Sequence, residues 1–258
     1  MRNGLTAALA LALICASTAA AQTGRQSSGV APAAKTGTAA LARGGDLSGT
    51  WMLQSRGPVR SISRTPPPMT PEGQAKFQAN KPGFGPRAVP GGNDPIGTCD
   101  PLGLPRSLLS PRAVQFVQLP GRMLMFFESY RTWRDIWTDG RPLPADPPVA
   151  RFFGYSVGKW RGDTFVVDSA GFDERSWTDA LGDPHSDAMH LQERYRRLDH
   201  DTLELTITLE DPKIYTKPWV SDEFTWKLQP DQALDEDFCV GSEELSYNQR
   251  MRDPAAGK

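Results

Sequence analysis

An all-β chain, closed as an antiparallel up-and-down barrel or as a sandwich, is predicted by two features of the sequence. Beyond Pro111 the apolar residues recur with a period of two, as in strands with one buried face, and turn residues punctuate the runs. The clearest run is residues 202–210, where Leu203, Leu205, Ile207 and Leu209 alternate with Thr and Glu. About nine such runs follow one another in hairpin order, which closes a sheet on itself. A length of 258 residues suits one undivided β domain.

Taken in order, residues 1–21 read as a secretory signal peptide: Arg2 gives a positive start, an apolar run follows from Leu5 to Ile14, and Ala19-Ala20-Ala21 is a cleavage site. The run is too short to span a bilayer, and Cys15 lacks the small preceding residue of a lipidation site. Residues 22–45 are a flexible leader, too poor in large apolar side chains to offset the entropy of ordering. Residues 46–258 then form a single barrel domain. Its opening strand carries Gly49-Thr50-Trp51, and this Gly-x-Trp resembles the first strand of lipocalin-like barrels. A Pro-rich wrap follows to residue 112, with Pro66-Pro67-Pro68 extended as polyproline II. One helix interrupts it, with Thr70 as cap, Pro71 in the first turn and Lys81-Pro82-Gly83 as the stop. The rest of the wrap is expected to plug or cover one barrel end.

The barrel strands occupy residues 113–228. Runs 113–119 and 122–128 flank Pro120-Gly121, and run 131–138 ends at Asp139-Gly140. After a Pro-rich loop, runs 153–160 and 163–169 flank Arg161-Gly162. Runs 188–198 and 202–210 flank Asp199-His200-Asp201, and 221–228 closes the set. In the C-terminal segment 229–258, residues 242–251 are expected to form a short peripheral helix.

The formal net charge is −1, with 23% charged and 38% apolar residues, so nothing calls for nucleic acid or an anionic membrane as partner. Without the signal segment two cysteines remain, Cys99 and Cys239. In an oxidising compartment they are expected to form one disulfide, worth roughly 4–5 kcal/mol through loop closure. The alternative, free thiols in redox or metal chemistry, lacks a CxxC or a nearby histidine. The protein is expected in the periplasm or secreted.

Chemistry, if present, is expected in residues 171–197, which hold two of the chain's 3 histidines, His185 and His190, along with Asp183, Asp187 and Glu193. Alternation puts Met189, Leu191, Glu193 and Tyr195 on one face and His190, Gln192, Arg194 and Arg196 on the other. It likewise groups Trp133, Asp135 and Trp137. A carboxylate desolvated inside an aromatic-lined barrel has a raised pKa and can act as an acid or base near neutrality. The competing reading pairs Asp135 and Glu193 with arginines such as Arg131, Arg134, Arg194 or Arg197. His185, oriented by Asp187, is a candidate base; alternatively Ser186 and Asp187 cap a turn and His185 bonds the backbone. A metal site His-x-Asp-x-x-His with Glu193 is disfavoured, because alternation separates His190 from Glu193. Neither a metal nor a cofactor is expected. Gly154-Tyr155-Ser156-Val157-Gly158 fits G-x-S-x-G, but a strand and turn follow where a nucleophile elbow needs a helix. Trp133, Trp137, Phe172, Trp177, Tyr195 and Arg194 are the candidate ligand contacts.

Several stretches carry a resemblance: Pro67-Pro68-Met69-Thr70-Pro71, the run from Asn93-Asp94-Pro95 to Cys99-Asp100-Pro101, Trp160-Arg161-Gly162-Asp163-Thr164, Asp183-Pro184-His185-Ser186 and Glu193-Arg194-Tyr195-Arg196-Arg197. Together they resemble landmarks of a large group of exported proteins of Gram-negative soil bacteria. The resemblance covers most of the mature chain and implies secretion and a calycin-like barrel, with no activity attached. In that group the Pro-His-Ser and Glu-Arg parts recur while the place of His190 varies, which favours His185 and Glu193 as site residues.

The sequence thus predicts an exported barrel that binds a small, partly apolar or aromatic molecule in its interior. The alternative is a cofactor-independent lyase, isomerase or hydrolase at the barrel mouth, with His185 as base and Glu193 or Asp135 as acid. A third class, an envelope interaction module, would have a solid core.

Overall fold

A computed structural model describes residues 45–54, 61–65 and 67–255. The expected signal peptide, the leader before Gly45 and Pro66 lie outside the described residues. The strands are β1 (Gly49–Gln54), β2 (Val114–Leu119), β3 (Arg122–Phe127), β4 (Thr132–Trp137) and β5 (Tyr155–Arg161). They continue as β6 (Thr164–Ala170), β7 (His190–Arg197), β8 (Thr202–Glu210), β9 (Trp219–Val220) and β10 (Phe224–Leu228). Each neighbours the next from β1 to β8, and β10 pairs with both β1 and β8, so the sheet closes. The short β9 continues the line of β10 along β8, at Thr208 and Leu209, which leaves nine positions around the barrel.

Among the pairings between strands, all but one are antiparallel. β4 and β5 run parallel, joined only at Ile136↔Ser156 and Trp137↔Val157. The barrel is therefore mixed, and this corrects the expectation of a wholly antiparallel, up-and-down order. The cause is the connection of residues 138–154, which returns the chain to the end from which β4 started. Its prolines cannot complete a strand ladder, so the return is made without an extra strand.

Strand direction sorts the connections. Tight turns at Pro120-Gly121, Gly162-Asp163 and Asp199–Asp201 sit at one end. The connections from β1 to β2, β6 to β7 and β8 to β9 begin and end at the other, and residues 138–154 run from one end to the other. Leu104, Leu108 and Leu109 of the Pro-rich wrap and Ile214 and Tyr215 after β8 join the same buried cluster as the barrel side chains Phe116, Phe127 and Trp226. Helix α1 (Pro71–Ala79) begins where expected, with the Thr70 hydroxyl accepting from Gly73 N–H. Its first turn abuts the 211–215 loop: a Cβ at Gly73 would lie 2.2 Å from the Ile214 carbonyl oxygen. Helix α2 (Gly241–Tyr247) starts beside Cys239, which forms the expected disulfide with Cys99.

The centre of the barrel is polar at one point. Arg134 donates from Nη1 and Nη2 to Glu193, at 2.8 and 2.5 Å, and the Tyr195 hydroxyl donates to the same carboxylate at 2.5 Å. Arg134 and Glu193 are almost wholly buried. Burial alone would depress the Arg134 pKa, but the Glu193 carboxylate outweighs it and holds the guanidinium above its ordinary value. Tyr195 also packs edge-on against Phe116 and Trp226.

Candidate functional site

Two recesses bear on function, and residues 171–189 line the second of them. The first is a groove of about 1120 Å³ over the β4–β5 junction, where the two strands diverge below their short parallel pairing. Trp133 and Trp137 line it from β4, Tyr155 from β5, and Phe152 and Phe153 from the end of the returning connection. That connection is pinned at Gly171, whose φ of +76° and contact with Pro147 leave no room for a side chain: a Cβ there would stand 2.7 Å from the Pro147 ring.

In β4 the inward positions are Arg134 and Ile136, both buried. Trp133, Asp135 and Trp137 do share a face, as expected, but it is the outer one, and this corrects the placement of Asp135 inside the barrel. Trp133 is 61% exposed, an unusual state for the largest apolar side chain. Asp135 pairs with Arg122 at 3.1 Å. Trp137 is faced by two guanidinium groups, Arg141 at 3.7 Å and Arg122 at 5.7 Å from its ring centre. Arg151 lies 4.2 Å over Tyr155 and, among the described residues, forms no ion pair. Hydrogen bonds from Arg141 hold the Asp139 carboxyl below its usual range.

The second recess is a polar cleft of about 530 Å³ lined by Lys76, Asn80, Asn93, Asp100, Glu174, Arg175, Ser176, Trp177 and His185. His185 is 1% exposed, and its Nε2 lies 2.9 Å from Ser176 Oγ. Its Nδ1 faces the Ser186 carbonyl oxygen at 3.1 Å. A carbonyl only accepts, so Nδ1 carries the proton and Nε2 accepts from the serine. Burial pushes the imidazole pKa below its ordinary value. Asp187, expected to orient His185, is exposed and pairs with Lys213 at 2.6 Å. The carboxylate that steadies this corner is Asp211, which accepts from Ser186 N–H at 2.6 Å and from Ser186 Oγ at 2.8 Å. Asp211 lies directly after β8, and no local motif ties it to residue 186; only the fold brings the two together.

The remaining predicted residues are dispersed. Glu193 takes the competing structural role, paired with Arg134. Arg194 is exposed on the outer face of β7, because alternation turns it away from Glu193 and Tyr195. Phe172 is buried and meets His185 edge-on at 6.2 Å. Trp177 is 4% exposed at the rim of the polar cleft, with Arg106 5.9 Å from its ring. His190 lies on the face opposite Glu193, 3.5 Å from Asp168. Ser156 of the G-x-S-x-G stretch sits within β5 and bonds Ser169 Oγ at 2.8 Å. Among the described residues no group of three His, Cys, Asp or Glu side chains is placed to hold a metal ion.

A third feature is the pair Asp179 and Asp183, of which sequence reasoning singled out Asp183 but not its neighbour. Asp179 Oδ1 accepts from the backbone N–H of Leu181 and of Asp183, folding the segment into a tight loop. Desolvation, then the neighbouring Asp179 charge, pushes the Asp183 carboxyl up to about 9. Asp183 therefore keeps its proton at neutral pH, buried beside Asp179. Comparison with family models, with curated proteins and with solved structures found no match for the chain.

Proposed function

We propose that the protein is an exported binding protein, and that its ligand is a small, planar, partly apolar molecule bearing a negative charge, seated in the groove over β4 and β5. The observation that carries this reading is the exposed Trp133 beside Trp137 in a recess of about 1120 Å³, with Phe152, Phe153 and Tyr155 on the facing walls. Aromatic walls take a flat ligand by stacking, and arginines already stacked on Trp137, Tyr155 and Phe152 supply a cationic rim. Arg151, without an ion-pair partner among the described residues, is the charge left for the ligand. The groove is favoured over the barrel interior because the centre of the interior holds the paired Arg134, Glu193 and Tyr195. Export draws support from the Cys99–Cys239 disulfide, which is at home in an oxidising compartment.

The acid–base alternative draws less support, since Asp135 and Glu193 face opposite sides of the wall and each is held by an arginine. The binding reading is tested with 1-anilinonaphthalene-8-sulfonate, a planar aromatic anion, titrated into the folded protein at neutral pH. One site per chain is expected, weakened about tenfold or more by Trp133→Ala, equivalent to about 1.4 kcal/mol. Trp133 is exposed, so its removal leaves the core intact. Equal binding by wild type and Trp133→Ala would overturn the reading.

A further inference from the structure

The polar cleft carries chemistry that ligand binding in the groove does not use. At its floor Ser176 and His185 are 2% and 1% exposed, yet both line the recess. Their 2.9 Å contact is within hydrogen-bond length, and the Ser186 carbonyl fixes the imidazole tautomer that leaves Nε2 free to accept. Ser176 is held from behind by Gly103, where a Cβ would come within 2.6 Å of Oγ. The Asp173 carbonyl is a second, longer acceptor for the hydroxyl at 3.3 Å. A serine bonded to the lone pair of a neutral, oriented imidazole is the arrangement of an activated nucleophile.

The walls suggest the substrate. Lys76 and Glu174 pair across the cleft at 2.7 Å, and Arg175 stands 3.6 Å from Asp100, with Asn80 and Asn93 close by. These are donors and acceptors suited to hydroxyl groups, and Ala79, Pro95, Trp177 and Pro184 add apolar wall for a short acyl group. We propose that Ser176 and His185 form a nucleophile and general-base pair that hydrolyses short acyl esters of polyhydroxylated alcohols.

In the first step Ser176 Oγ bonds to the ester carbonyl carbon as its proton passes to His185 Nε2. The bond from that carbon to the alcohol oxygen breaks, and the alcohol leaves with the proton from Nε2. In the second step water attacks the acyl-serine, giving a proton to Nε2. The carboxylic acid departs as Ser176 Oγ takes the proton back. Lys76 and Arg175 are the cations that line the cleft, each paired with a carboxylate, Lys76 with Glu174 at 2.7 Å and Arg175 with Asp173 at 2.8 Å. Nδ1 rests on a carbonyl and not on a carboxylate, so the imidazolium is stabilised less than in a full triad and turnover is slow.

The test uses the disulfide-intact chain with p-nitrophenyl acetate. A burst of about one p-nitrophenolate per chain is expected, with acetyl mapped to Ser176 by peptide mass spectrometry. Ser176→Ala is expected to abolish the burst, and His185→Gln to slow acylation at least about 100-fold. If either variant fails to fold by near-UV circular dichroism, the acetyl position in wild type decides. Acetyl on lysines alone, or a burst that survives in folded Ser176→Ala, overturns the proposal and leaves the pair as a structural stitch.

Discussion

Glu193 sits on the apolar face of its strand, and alternation among Met189, Leu191 and Tyr195 is enough to place it there. Its partner lies 59 residues away on β4, and a non-local pairing of that kind is set by which strands close the barrel. The two charges are worth little as a net gain, because their desolvation offsets their attraction. Breaking the pair is different: Glu193→Gln leaves the Arg134 guanidinium buried without a counter-charge. The expected cost is about 3–5 kcal/mol in urea denaturation, with part of it recovered when Arg134→Met is added. A loss below about 1 kcal/mol would show that the guanidinium finds another partner. Asp135 was harder to read than Glu193. Two flanking tryptophans make its face look like core, but here both indoles line an outer groove and one is stacked with guanidinium groups.

Local signals placed nearly every strand, since alternation and turn residues act within a few positions. The runs around Pro120-Gly121 and Arg161-Gly162 became β2–β3 and β5–β6 with shifts of one or two residues. The helix capped by Thr70 was legible for the same reason. The parallel β4–β5 pair was not, because residues 138–154 carry no period and their path depends on docking against Gly171, far along the chain. The disulfide belongs to this scale as well. It joins the turn Pro95–Thr98 to the lead-in of α2, and Asn248 reinforces the contact by donating to the Gly97 carbonyl at 2.9 Å. Replacing both cysteines by serine is expected to lower stability by roughly 4–5 kcal/mol, the loop-closure value for a separation of 140 residues. A much smaller loss in chemical denaturation would mean that the C-terminal segment detaches before the barrel unfolds.

On the scale of the whole molecule, three of the long connections share one barrel end, and residues 171–189 supply the Asp179–Asp183 pair and one wall of the polar cleft. The groove and the cleft also share a wall, since Arg175 of the cleft lies 4.8 Å over Phe152 of the groove. Burying so many polar groups at one end makes the stability of the entire fold depend on pH. The neutral, buried His185 has a depressed pKa, so the stability it contributes is present above the unfolded value near 6.5 and is lost as pH falls. Asp183 acts in the opposite sense. Its folded pKa of about 9 lies far above the unfolded value near 4, so the native state holds a proton that the unfolded state has released. That contribution is present in acid and declines as pH rises toward 9. Between pH 7 and 9 the histidine is neutral in both states, and Asp139, Asp173, Asp187 and Asp199, whose pKa values are lowered, are ionised in both. The Asp183 proton therefore dominates this window, and unfolding free energy is expected to fall by about 1.4 kcal/mol per pH unit. In Asp183→Asn the amide can donate to Asp179 without titrating, so thermal or urea midpoints should become nearly flat over the same window. A wild-type midpoint that does not move between pH 7 and 9 would mean that Asp183 is already ionised in the native state, its charge offset by Arg87.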